Sequence, residues 1–86
     1  MSFKLSIVAP SGKLFEDTVD SIALPGAEGA FEVYSQHTPL IAVLNAGKAR
    51  VRKGGQVTAY EITSGILEVT PLHDVLLLAD QATPLS

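Results

Sequence analysis

The chain has 86 residues, 47% of them hydrophobic and 17% charged, which is enough for one small domain and no second one. Six Lys and Arg stand against nine Asp and Glu, a net charge of −3. That balance argues against general affinity for phosphate backbones or anionic membranes, and with no cysteine there is no disulfide or thiolate metal site.

The opening Met1-Ser2-Phe3-Lys4-Leu5 alternates and lacks the apolar region of a signal peptide. The longest apolar run, Val75 to Ala79, is far below the ~20 residues that span a bilayer. A cytosolic-type domain is expected.

Along the chain the dominant period is two. Phe3, Leu5, Ile7 and Ala9 share one face, with Lys4 and Ser6 on the other. Successive side chains of a strand point to opposite faces, so this alternation marks a half-buried strand. The stretch from Thr38 to Leu44 fits either a short helix or, given Pro39 and the branched Ile41 and Val43, an extended segment. Ala49 and Val51 interleave with Lys48, Arg50 and Arg52, and Thr58, Tyr60 and Ile62 oppose Val57, Ala59 and Glu61. Between these runs, Gly54-Gly55 predicts a two-residue hairpin. Val75-Leu76-Leu77-Leu78 does not alternate and reads as a strand covered on both sides. Further turn signals fall at Pro10-Ser11-Gly12, Pro25-Gly26, Ala46-Gly47, Ser64-Gly65 and Pro71. The prediction is an all-β fold, a small β-sandwich of about ten short strands without substantial helix. It forms a single domain over 1–86, in which 81–86 is a frayed tail.

Catalytic chemistry is sparse. Ser35, His37 and Asp74 can be assembled into a triad only on paper, and two histidines are too few for a convergent metal site. Asp17 with Asp20, and Glu28 with Glu32, read as solvated turn charges rather than paired acid–base carboxylates. Gly26-Ala27-Glu28-Gly29 matches a nucleic-acid clamp loop in pattern, but Glu28 would repel phosphates. Lys53 sits at a hairpin tip like the modified lysine of lipoyl carriers, but Arg52 and Gly54 are the wrong flanks. The alternative that survives is a small β-barrel binding single-stranded nucleic acid. It would use Lys48, Arg50, Arg52 and Lys53 with Tyr60 as its aromatic, against the net charge.

The most distinctive stretch is Leu24 to Gly47, LPGAEGAFEVYSQHTPLIAVLNAG, a punctuated connection of the kind that carries function. Around it stand Lys13-Leu14-Phe15-Glu16, Val19-Asp20-Ser21-Ile22, Gly47-Lys48-Ala49-Arg50-Val51, Ser64-Gly65-Ile66-Leu67-Glu68-Val69 and a Leu-Ala-Asp ending at Asp80. In this order and spacing, over nearly the whole chain, the sequence resembles the N-terminal β-sandwich of the epsilon subunit of F-type ATP synthases, the bacterial and chloroplast kind.

The resemblance implies a non-catalytic rotor subunit without cofactor or metal, binding gamma and the c-ring so that proton-driven rotation reaches the catalytic head. It implies a monomeric isolated chain and a place at the cytoplasmic face of the bacterial inner membrane, with membrane contact only through the complex. Gly26, Glu28, Gly29, Ala30 and Glu32 would face the c-ring. Ala9, Pro10, His37, Pro39, Leu40 and Ala42 would lie towards gamma. Two local departures stand out: Ala30 replaces a glutamate of many relatives, and Ser35-Gln36 replaces a Pro-Gly. The C-terminal helical hairpin of most relatives has no counterpart in these 86 residues. The chain is either a naturally short form or a piece cut at the domain boundary, the short form being the expectation, with neither ATP binding nor hairpin-type inhibition by this chain.

Overall fold

The computed structural model describes residues 1–85. Ten strands build two five-stranded sheets, and no helix occurs among the described residues. In chain order they are β1 (Phe3–Ala9), β2 (Gly12–Val19), β3 (Ser21–Leu24), β4 (Phe31–Tyr34), β5 (Leu40–Leu44), β6 (Gly47–Lys53), β7 (Gln56–Ile62), β8 (Gly65–Val69), β9 (Val75–Ala79) and β10 (Ala82–Leu85). Sheet A runs β2-β1-β9-β8-β5 and sheet B runs β10-β7-β6-β3-β4. All pairings are antiparallel except β1 with β9, which run parallel.

The period-two pattern decides what lies between the sheets. Leu5 and Ile7 of β1, Leu67 of β8 and Leu77 of β9 come in from sheet A. Ile22 and Leu24 of β3, Val33 of β4 and Ile62 of β7 meet them from sheet B. Each such side chain contributes about 1.5–3 kcal/mol by leaving water, the main force available to a chain without disulfides. Phe15 and Tyr60 close the core near β2 and β7, ring edge to ring face with centroids 6.3 Å apart.

The predicted hairpin is present: Lys53 pairs with Gln56 and Gly54 takes φ 62° at the turn. A bulge between Ile7 and Val8 sets Val8 opposite Lys13 and leaves Leu14 outside the pairing. Thr38 to Leu44 is extended and ends in β5, so the helical option falls away.

Two expectations need correction. The tail is not frayed through Leu85: Ala82–Leu85 pair with β7, and Pro84 fits because β10 is the edge strand of sheet B. Only Ser86 lies outside the described residues. Nor is β9 covered on both sides, because Leu78 is 43% exposed although β9 is the central strand of its sheet. Val75, Leu77 and Ala79 face the core while Leu76 and Leu78 face outward. An apolar side chain on an outward position hides the alternation from the sequence.

Candidate functional site: the outer apolar face and the turn beside it

Sheet A turns an apolar face away from the core. Val8 of β1 pairs with Leu78 of β9, Leu78 with Ile66 of β8, and Ile66 with Val43 of β5. These four outward side chains form one row across four strands. Val43 is 63% exposed and Ile66 44%. One rung away lie Leu76, Glu68 and Ile41, the last 73% exposed. At the end of the row, Ala9, Pro10 and Ser64 join Val8, Ile66 and Leu78 around a shallow depression of about 630 Å³. Contiguous exposed apolar patches of soluble proteins often mark surfaces that meet a protein, a membrane or a ligand.

Beside the row, the segment from Pro25 to Ala30 is stapled along the free edge of β5. The Ala27 amide donates to the Val43 carbonyl at 2.9 Å and the Asn45 amide to the Pro25 carbonyl at 2.8 Å. Gly26 bridges to Leu44, and the Gly29 amide closes the turn on the Gly26 carbonyl at 3.0 Å. Glycine is required at position 26, where a Cβ would lie 2.5 Å from the Gly29 oxygen and 2.8 Å from the Phe31 ring. The result is a short, braced turn that holds Ala27, Glu28, Gly29 and Ala30 out in solvent.

The residues expected to face the c-ring therefore divide. Gly26, Glu28, Gly29 and Ala30 belong to this turn, whereas Glu32 sits on β4 and points to the outer face of sheet B. Its carboxylate accepts a hydrogen bond from the Tyr34 hydroxyl at 2.8 Å and faces Arg52 Nη2 at 3.8 Å. The Tyr34 phenol is raised above its ordinary range, chiefly because ionising it would break the bond to Glu32.

The residues expected to face gamma also divide. Ala9 and Pro10 border the apolar row. Leu40 and Ala42 lie on β5 with their side chains turned inward, so the strand presents Ile41 and Val43 instead. His37 and Pro39 stand at the opposite end of sheet A, before β5 begins. There His37 Nδ1 contacts the Thr38 carbonyl at 2.8 Å, and His73 Nδ1 contacts the His37 carbonyl at 3.2 Å.

The catalytic alternatives find no support in the geometry. Ser35 Oγ donates to the Ser2 carbonyl at 3.3 Å, and the His37 ring is turned to backbone. No three His, Asp or Glu side chains converge as a metal site among the described residues. Asp17 and Asp20 grip the β6–β7 hairpin: Asp17 Oδ2 takes Lys53 Nζ at 2.5 Å and Asp20 Oδ2 takes the Gly54 amide at 2.8 Å. As for the basic strand, Lys48, Arg50 and Arg52 do share the outer face of sheet B, but Glu61 and Glu32 stand among them. Tyr60, the aromatic on which nucleic-acid binding would depend, is buried in the core. Tyr34 is the exposed ring on that face, and its hydroxyl is tied to Glu32.

With the fold and surfaces in hand, the comparison with known proteins is direct. The family model for the ATP synthase, Delta/Epsilon chain, beta-sandwich domain, matches residues 2–85. The chain belongs to that family. Among curated members, the ATP synthase epsilon chain of Caulobacter vibrioides is 38% identical over 77 residues, covering 90% of this chain and 88% of that one. The epsilon chain of Granulibacter bethesdensis is 39% identical over 83 residues. This chain spans 61% of the length of the Granulibacter protein and 58% of that of Halalkalibacterium halodurans. In solved structures the same fold occurs in the Euglena gracilis mitochondrial ATP synthase (OSCP/F1/c-ring), with TM-score 0.90 at 24% identity. That match covers 96% of this chain and 53% of the other. A second match, from the Tetrahymena thermophila central stalk and c-ring, has TM-score 0.80 at 12% identity, covering 95% of this chain and 66% of that one. At these identities the structural matches speak for the fold.

Reading the sequence of this family member from alternation alone missed Val8, Ile41, Val43, Ile66 and Leu78 as surface residues. The signal was present in Ile41-Ala42-Val43-Leu44 and Val75-Leu76-Leu77-Leu78, runs with no polar partner for the outward positions.

Proposed function

We propose that this chain is a non-catalytic central-stalk subunit of an F-type ATP synthase, docking on gamma through the outer face of sheet A and on the c-ring through the turn at Gly26–Ala30. The observation that carries the reading is the Val8–Leu78–Ile66–Val43 row. Four apolar side chains in register across one sheet are costly to leave in water and favourable to cover. Family membership supports a central-stalk assembly as the place where they are covered. Pro10 borders the gamma-facing row, and Ile41 and Val43 take the place of the inward Leu40 and Ala42 as its contacts on β5. His37 and Pro39, at the far end of the strand, are peripheral to it.

The braced turn suits the other partner. Its exposed backbone and the Glu28 carboxylate match polar loops, while its staples to β5 keep the c-ring contact and the gamma contact in fixed relation. A torque-bearing linker needs such rigidity. In a bacterial cell the complex would hold the chain at the cytoplasmic face of the inner membrane as a peripheral subunit.

The test is co-expression with the cognate gamma subunit, followed by size-exclusion chromatography with mass analysis. A one-to-one complex is expected, lost in Val43→Glu and Ile66→Glu but kept in Lys48→Glu on the opposite face. A complex that survives both apolar-row substitutions would overturn this docking face; a chain that never co-elutes with gamma would overturn the subunit reading.

A further inference from the structure

The outer face of sheet B carries a second feature, independent of the docking row. On β3 the outward residues are the small Ser21 and Ala23, which form the floor of a groove. Glu32 of β4 forms one wall; Arg50 and Arg52 of β6 form the other, with Val57 of β7 behind Arg52. The depression they line measures about 170 Å³, room for a single oxyanion and too little for a nucleotide.

Ser21 is the telling residue. It is 1% exposed, the one buried polar residue among those described, and its hydroxyl has no hydrogen-bond partner. Buried hydroxyls nearly always find a partner, so an orphan at the floor of a groove requires an explanation. The charges beside it are unbalanced in the same sense. Glu32 stands against Arg52, at 3.8 Å and without a closed hydrogen bond, whereas Arg50 makes no ion pair among the described residues.

We propose that this groove binds a protonated phosphate group, with Arg50 and Arg52 on its anionic oxygens, the Ser21 hydroxyl donating to another, and Glu32 accepting from the P–OH. The carboxylate is what selects the ligand. Facing a fully deprotonated anion, Glu32 would be repelled; facing a phosphate that still carries a proton, it gains a hydrogen bond. Inorganic phosphate carries one at pH 6, and a monoester does in roughly half its molecules near its second pKa of about 6. Sulfate offers the same shape and oxygens but no proton at that pH.

The experiment is a titration of the intact chain, followed by amide NMR at pH 6, with inorganic phosphate, phenyl phosphate, sulfate and chloride at matched ionic strength. Saturable shifts at Ser21, Ala23, Arg50 and Arg52 are expected with phosphate and not with chloride. Sulfate should bind about tenfold more weakly, as expected for the loss of one charge-assisted hydrogen bond. Glu32→Gln should erase that preference. Arg50→Gln should weaken phosphate about tenfold or more, and Ser21→Ala should weaken it without lowering thermal stability. Phenyl phosphate binding as well as inorganic phosphate would assign the site to phosphomonoesters; its exclusion would assign it to the free ion. Shifts that merely track ionic strength, or a phosphate titration unchanged in Arg50→Gln, would overturn the proposal.

Discussion

The carboxylate of Asp20 accepts the amide of Gly54 at 2.8 Å, tying the β2–β3 corner to the tip of the β6–β7 hairpin. In return the Asp20 amide donates to the Arg52 carbonyl at 2.8 Å. One residue thus caps a turn that lies 34 positions away in the chain. Removing the side chain leaves the Gly54 amide to water and frees the hairpin to move. Asp20→Ala is expected to cost about 1 kcal/mol and to speed hydrogen exchange at Gly54 before the sheets open. Unchanged exchange there would show that the hairpin needs no such cap.

Next to this cap, two exposed carboxylates sense pH. Glu16 is held below its ordinary value by hydrogen bonds from Lys13 first and Lys4 second. Asp17 is lowered chiefly by Lys53, then by the Thr18 amide. Both bind protons less readily in the folded chain than in the unfolded one. The stabilisation is therefore complete above their unfolded values, 4.5 and 3.8, and is lost as the pH falls through the lower folded values. Thermal melts from pH 6 down to about pH 2 should show this acid loss. Lys53→Met should flatten it, as should molar salt, because these pairs are exposed and screened. A Lys53→Met curve parallel to that of the parent would remove Asp17 from the account.

A third expectation concerns the turn before β5. Gln36 adopts φ 62°, a left-handed conformation that suits glycine and strains a residue with a Cβ. Relief of about 1–2 kcal/mol of local strain in Gln36→Gly is offset by about 0.5–1 kcal/mol of extra unfolded-chain freedom. A net gain of about 0.5–1 kcal/mol is expected, visible as a rise of a few degrees in Tm. A lower Tm would mean that the Gln36 side chain contributes more than its backbone costs.

Alternation in Phe3–Ala9 and Gly47–Lys53 made the inner and outer faces of β1 and β6 legible, because every outward position there except Val8 is polar. The hairpin at Gly54 was equally plain, since few other residues serve at that φ. The failures share one cause. Where an outward position is apolar, as at Leu78, period two disappears and a half-exposed strand reads as buried. Pro84 misled in the opposite direction, because a proline argues against a central strand and says nothing against an edge one. For the site, the Gly26–Ala30 turn was legible from its punctuation. The destination of Glu32 was not, since it depends on the register of β4 against β3. The groove around Ser21 was likewise invisible, as no local pattern reveals that a serine side chain lacks a partner.

Adjacent leucines on β9 supply the sharpest test of that distinction. Leu77 is fully buried between the sheets, and its neighbour Leu78 is 43% exposed within the apolar row. Leu77→Ala leaves a cavity in a close-packed core and should cost about 2–5 kcal/mol. Leu78→Ala removes a side chain already half in water and should cost well under about 1 kcal/mol in the isolated chain. Binding to gamma should reverse the order of importance. At equal folded fraction, Leu77→Ala should bind like the parent, while Leu78→Ala should loosen the complex about tenfold, the scale set by losing a well-covered side chain at an interface centre. Urea melts paired with gamma pull-downs read both quantities. Equal stability losses in the two variants would mean that β9 is covered on both faces after all; equal gamma binding would move the docking surface off sheet A.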